Sequence, residues 1–322
     1  YKRQMGGYFN QPGIVRHSDF ERYSIRSNYE RSLNNRGSKF GFNFNGMRSE
    51  QNGVATGNAG VTMNMLSQAP TKKLSAGDWE AEGNEDPFIN NNPLYQASRI
   101  KRQLIRTNVT ARAYFEAALT KDIKLKIAGN LDFNERRNDE YYPKDVAAGR
   151  NVKGKAVVSN ASTFGWNSEN LFTYTPKAWG RHKFDFMAGF ILEESMRKSV
   201  NNEVQNFVLE GLNTGSLQDG LLPLPPVTNN VRTRMASFIG RSNYSFDNRY
   251  LLTATIRYDG VSCFGTDNKW GLFPSGAFAW RISNEKWMKD IRAISDLKLR
   301  LSVGATGNAA IPALQTLDLM SR

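Results

Sequence analysis

Tyr250-Leu251-Leu252-Thr253-Ala254-Thr255-Ile256-Arg257-Tyr258-Asp259-Gly260 is the stretch whose reading decides the fold. Tyr250, Leu252, Ala254, Ile256 and Tyr258 are all apolar or aromatic, and the residues between them are polar but for Leu251. A side-chain period of two places these sets on opposite faces of a strand. Aromatics at both ends of the apolar face, with aliphatics between, predict a lipid-facing strand whose ends sit in interfacial girdles. The polar face then looks into a lumen.

Downstream come Phe264-Gly265, Trp270-Gly271, Phe273-Pro274-Ser275, Ala279-Trp280-Arg281-Ile282-Ser283, Leu297-Lys298-Leu299-Arg300 and Gly304-Ala305-Thr306-Gly307-Asn308. In this order, and with Asp259-Gly260 before them, these motifs resemble the middle barrel region of the SusC/RagA family of TonB-linked outer-membrane transporters. The pattern departs from the family at Val261 and Cys263, in a loop. The resemblance implies an all-β fold: a transmembrane antiparallel β-barrel of roughly 22 strands with a plugged lumen. About ten of those strands are visible here, with long extracellular loops. Residues 1–322 would be part of one such barrel domain, with the plug domain and the last strands outside this stretch.

Bulk composition agrees without deciding. The chain has 322 residues, 39% hydrophobic, with a mean hydropathy of −0.55. No apolar run approaches the roughly 18 residues of a membrane helix. A barrel strand escapes that test, because outward and inward residues alternate and average to a polar sequence. Tyr1 is no initiator and no signal peptide follows it, so we expect an internal stretch of a longer chain. The net charge of +13 raises a nucleic-acid reading. Yet the basic residues are scattered singly on strand faces, as at Lys124, Lys126, Arg257, Lys298 and Arg300, with no recognition helix, so we expect no nucleic-acid partner.

Alternation predicts the strands in pairs. Phe20 to Tyr29 pairs with the Lys39 to Asn45 strand, and Leu104 to Ala117 with a strand from Ile123 to Phe133. Ser162 to Tyr174 pairs with His182 to Leu192, Met235 to Phe246 with the opening strand, and Ser275 to Ile282 with Leu297 to Ala305. Residues 1 to 19 show turn formers without a period. Between the pairs lie polar segments read as loops: about Arg48 to Lys101, Glu135 to Asn160 and Ser199 to Val231. Short and long connections alternate until the last pair, where they become comparable. A membrane barrel explains this, since its turns are short at one end and its loops long at the other.

No catalytic constellation stands out. Gly260-Val261-Ser262-Cys263-Phe264-Gly265 lacks the second glycine of a nucleophile elbow, and Cys263 is the lone cysteine. Glu193 and Glu194 are adjacent on a strand and point to opposite faces, so they cannot flank one bond. Asp78, Glu80, Glu82, Glu85 and Asp86 form an acidic patch whose spacing fits no calcium loop; a solvated loop is the plainer reading. We expect no enzyme activity, no metal and no cofactor. Candidate substrate contacts are the loop aromatics Trp79, Tyr141 and Tyr142, and Arg257 and Asp259 near the outer end of their strand. The latter two equally suit a structural ion pair. The resemblance implies import of glycans or peptides, with a SusD-like lipoprotein over the mouth. It also implies that the TonB–ExbB–ExbD complex drives the missing plug, and that the wall contacts outer-membrane lipid. The alternatives are an ordinary TonB-dependent siderophore or vitamin receptor and a soluble β-rich carbohydrate-binding module.

Overall fold

The chain was analysed as a computed structural model, which describes residues 2–34, 37–54, 61–67, 93–209, 211–265, 268–288 and 294–308, with backbone alone at 94, 95 and 147. Strands dominate: β1 Lys2–Pro12, β2 Asp19–Ser32, β3 Lys39–Gly53, β4 Lys101–Ala118, β5 Ile123–Tyr142, β6 Lys155–Tyr174, β7 His182–Phe207, β8 Gly220–Pro223, β9 Val227–Phe246, β10 Tyr250–Val261, β11 Trp270–Arg281 and β12 Lys298–Gly304. They form a single sheet of twelve antiparallel strands, two more than the alternation suggested. Its order follows the chain from β1 to β12, except that β8 sits aside, paired only with β7. No described helix is long and apolar enough to cross a membrane, which says nothing of strands.

The cross-strand register propagates the two faces of β10 around the sheet. Leu252 stands opposite Tyr244 and Phe278, and Ile256 opposite Gly240 and Pro274. Directly opposed residues share a face. The same face therefore carries Phe184, Phe186 and Phe190 of β7, Leu125, Ile127 and Leu131 of β5, Phe40, Phe42 and Phe44 of β3, and Leu299, Leu301 and Val303 of β12. This continuous apolar belt is the exposed face. Leu252 and Ile256 are each 50% exposed, while Thr253, Thr255, Arg257 and Asp259 on the opposite face are partly covered. A water-soluble sheet does the reverse, because apolar surface leaves water first. An apolar band this wide is stable only against another apolar phase.

Aromatic rings close the belt at both ends. At the turn end, Tyr174 packs on Phe186 (6.3 Å between centroids), Phe184 on Tyr244 (5.0 Å), His182 on Phe246 (5.0 Å) and Tyr250 on Trp280 (6.4 Å). At the loop end, Phe190 meets Phe238 at 5.1 Å, and Trp270 stacks on Tyr258 at 4.8 Å. Eight residues separate Tyr250 from Tyr258, about 27 Å of strand at ~3.4 Å per residue. A tilt of about 40° shortens that to ~20 Å, close to the band of a membrane barrel.

Strands β4 to β7 run for 18, 20, 20 and 26 residues, well beyond the roughly 9–11 that a crossing needs. The surplus projects past the loop-end girdle. There Asn134, Glu135, Arg136 and Arg137 are exposed in sequence, as are Arg197 and Lys198, so both faces meet water. This corrects the loop expectations. Much of Glu135 to Asn160 and Ser199 to Val231 is strand, and Lys2–Pro12, which lacked any period, pairs along its whole length with β2. The Pro-rich segment Leu221-Leu222-Pro223-Leu224-Pro225-Pro226 begins within β8, laid against β7. Small cores brace the projection: Tyr141, Ala156, Val204 and Phe207 with Leu217, and Val54, Val61 and Ala97 with Val15.

At the other end the connections are tight. Asp247 and Asn248 both adopt positive φ (53°), the left-handed conformation that Asp and Asn tolerate best, and turn β9 directly into β10.

Candidate functional site

On the inward face, near the loop ends of β9 to β12, a concavity of about 700 Å³ gathers much of the sequence motif. Asp259, Phe264, Trp270, Gly271, Phe273, Gly304, Thr306, Gly307 and Asn308 all line it. The motif glycines have a steric reason. The ring of Phe273 lies between Gly271 and Gly307: a Cβ on Gly271 would come within 2.8 Å of it, and one on Gly307 would overlap it outright. Gly260 stands opposite Trp270, whose indole ring a Cβ there would meet at 2.7 Å. Glycine lets each ring lie flat on backbone.

Arg257 and Asp259, two residues apart on one face, form an ion pair through a bifurcated hydrogen bond. Arg257 Nε donates to both carboxylate oxygens, at 2.7 and 2.8 Å. Its Nη2 also donates to Ser237 Oγ at 3.3 Å, a serine with no exposed surface. Of the two roles read from the sequence, the ion pair is thus formed, and both of its members line the cavity. Arg241 and Lys269 line the same cavity and make no ion pair among the described residues, so its lining is net positive.

The other candidates are scattered. Tyr141 is not an exposed loop aromatic: it is the penultimate residue of β5, is 1% exposed, and packs edge-on against Phe207 at 5.5 Å. Tyr142 beside it donates to Glu140 at 2.9 Å and lies under the Lys155 ammonium at 4.8 Å. Trp79 and the acidic patch from Asp78 to Asp86 fall outside the described residues. Gly265 sits in the loop between β10 and β11, Pro274 on the lipid-facing side opposite Ile256, and Ala279 on the inward side. Among the described residues no group of His, Cys, Asp and Glu is arranged to hold a metal.

Glu285 carries a role that sequence reading missed. It follows β11 and accepts hydrogen bonds from Arg249 Nη1 (2.7 Å), Tyr250 Oη (2.9 Å) and Trp280 Nε1 (3.0 Å). This clamp ties the β9–β10 turn to the β11–β12 connection and gives both girdle aromatics their polar partner. Trp280 first, then Tyr250 and Arg249, hold the carboxyl below its ordinary range, against the opposing effect of burial. A depressed folded pKa stabilises above the unfolded value and is lost as pH falls through the folded one. Amide protection over residues 282–288, taken relative to the intrinsic exchange rate at each pH, should therefore stay high at neutral pH and fall on acidification below the ordinary Glu range. Glu285→Gln should remove that acid-driven step; persistence of the step in the variant would show that another group drives it.

An inside-out sheet, ring girdles, projecting strands and a positive inward cavity are the features of a membrane barrel wall. The profile of a family described as "TonB dependent receptor-like, beta-barrel" matches residues 4–317. The chain belongs to that family. It is 31% identical, over 98% of its length, to TonB-dependent receptor P3 of Formosa agariphila. It is 28% identical, over 95%, to the TonB-dependent receptor SusC of Bacteroides thetaiotaomicron. In each case it covers 32% of the relative, so the chain spans about a third of the length of the curated proteins it matches. Among solved structures, the RagAB peptide importer in its open-open state superposes with a TM-score of 0.78 at 20% identity, over 97% of this chain and 35% of that one. The ferric citrate transporter FecA gives 0.55 at 11%, over 88% and 37%. Those two likenesses concern the fold alone. As a SusC-like barrel of this TonB-dependent family, the chain is an outer-membrane protein in a family of receptors and not of enzymes, with its short turns periplasmic and its projecting strands extracellular.

Proposed function

We propose that this chain forms part of the wall of an active importer for oligosaccharides or oligopeptides. In the complete protein, TonB–ExbB–ExbD would act through a plug enclosed by the wall, and a SusD-like lipoprotein would close over the projecting strands. The observation that carries this reading is the reversal of the sheet's faces. Lipid takes the apolar side, which leaves a polar lumen with a cavity of about 700 Å³ near its outer mouth. Arg257 and Asp259 are the wall contacts we assign to substrate there. Their mutual pairing fixes the guanidinium edge, and a held donor loses less freedom on binding than a free one. Tyr142, at the end of β5, and Trp79 are further candidate contacts, while Tyr141 serves packing.

Uptake by intact cells tests it. Labelled oligosaccharides and oligopeptides too large for passive pores should accumulate in cells carrying the complete gene. Accumulation should disappear when the gene, TonB or the proton gradient is removed. Import that survives loss of TonB, or is indifferent to the gene, would overturn the proposal.

A further inference from the structure

On the extracellular part of the inward face, one group of arginines stands together without matching acids. Arg106 of β4 stands directly opposite Arg136 of β5. On the other side of Arg106 the same row continues through Ser49 of β3 to Arg22 of β2, and Arg197 of β7 joins from the next row. The register places all four arginines on the side of the sheet that bears Thr255 and Arg257 further round. At about 4.8 Å between strands, the row from Arg22 to Arg136 spans roughly 15 Å.

Three nearby arginines are matched by acids. Arg102 meets Glu140 at 3.1 Å, Arg112 meets Glu169 at 3.2 Å, and Arg137, on the opposite face, meets Asp139 at 2.9 Å. Arg22, Arg106, Arg136 and Arg197 have no ion-pair partner among the described residues; Arg22 lies over the Phe9 ring at 5.4 Å. Like charges directly across a strand pair repel, and Arg106 and Arg136 are held opposite one another with no acid paired to either among the described residues. A cleft of about 420 Å³ opens beside Arg106 and Arg136. The one carboxylate lining it, Asp19, is engaged by Asn52 at 2.9 Å. Gln51, Asn108, Asn134 and Asn138 share the arginines' face.

We infer that this stripe is a subsite for an anionic glycan, a sugar chain bearing sulfate or carboxylate groups. The proposal rests on the import reading above and names its substrate class. Guanidinium forks match oxyanions in a bidentate way. The surrounding amides offer both donors and acceptors, which suits hydroxyl groups on either side of each anion. An acidic peptide could use the same arginines, so oligoglutamate is the competing ligand in the test. Arg241 and Lys269, unpaired further along the inward face, continue the same polarity toward the larger cavity.

The test is binding to the complete protein in detergent or nanodiscs, with a short dextran sulfate oligosaccharide, unsulfated dextran of equal length and oligoglutamate as probes. Dextran sulfate should bind at least about tenfold more tightly than the other two, and the gap should shrink with added salt. Combined Arg106→Gln and Arg136→Gln should close the gap, while combined Arg106→Lys and Arg136→Lys should keep part of it. A gap that survives the glutamine pair, equal binding of both dextrans, or oligoglutamate binding as well as dextran sulfate would each overturn the inference. Failure of the import reading is separate: it appears as absent uptake in cells whatever the binding result.

Discussion

Ala254→Arg in the complete barrel should lower its unfolding free energy by about 2–4 kcal/mol, the cost of a guanidinium at the bilayer midplane. Ala254 lies midway between the girdle residues Tyr250 and Tyr258, opposite Ser242 and Gly276, on the exposed apolar face. Thr255→Arg, one residue on, points into the lumen and should change stability by less than about 1 kcal/mol. Two neighbouring positions given the same new side chain should thus differ severalfold. Denaturant unfolding in lipid vesicles, followed by loss of the heat-modifiable folded band, measures both. Equal costs, or a larger one at Thr255, would mean that the faces are assigned the wrong way round.

Gly307→Val should cost about 1–3 kcal/mol by overpacking the ring of Phe273. Phe273→Ala alone should cost about 2 kcal/mol, below the range for a fully buried phenylalanine because the ring is partly exposed. Combined, the two changes should cost less than their sum, since the alanine removes the ring that the valine strikes. Simple additivity in a double-mutant cycle would show that Gly307 is not packed on Phe273. Such a result would loosen the tie between the segment after β12 and the wall of the larger cavity.

The wall was legible wherever lipid lies on one side and lumen on the other. Leu252, Ala254 and Ile256 alternate with Thr253, Thr255 and Arg257 because two unlike media select them. Past the girdle that selection ends. Asn134 to Arg137 meet water on both faces, so nothing in their order distinguishes a strand from a loop. Residues Lys2–Pro12 were missed for a related reason: Gly6-Gly7 interrupts any period and Tyr8 and Phe9 fall on opposite faces. Nothing near Tyr141 in the chain marks it as buried, because its partners Val204 and Phe207 arrive from another strand some sixty positions away. The candidate site was half visible. The motif stood out as a string, but the reason for its glycines is the pair of rings they accommodate, Trp270 and Phe273. Glu285 gave little local sign, because two of its three donors, Arg249 and Tyr250, come from the β9–β10 turn and the start of β10, some thirty-five positions away. The arginine row depends wholly on register, which sets Arg106 beside Arg136 across a hairpin.

The neighbour-by-neighbour order of the sheet bears on how such a wall is made. Apart from the small β8, each strand lies against those next to it in the chain, and several hairpins close through only a few residues, as at Leu119–Asp122 and Asp247–Arg249. Closing short loops costs little chain entropy, and topologies rich in local pairing form quickly. Each hairpin can therefore zip onto its predecessor as it is delivered to the membrane, and no strand has to wait for a distant mate.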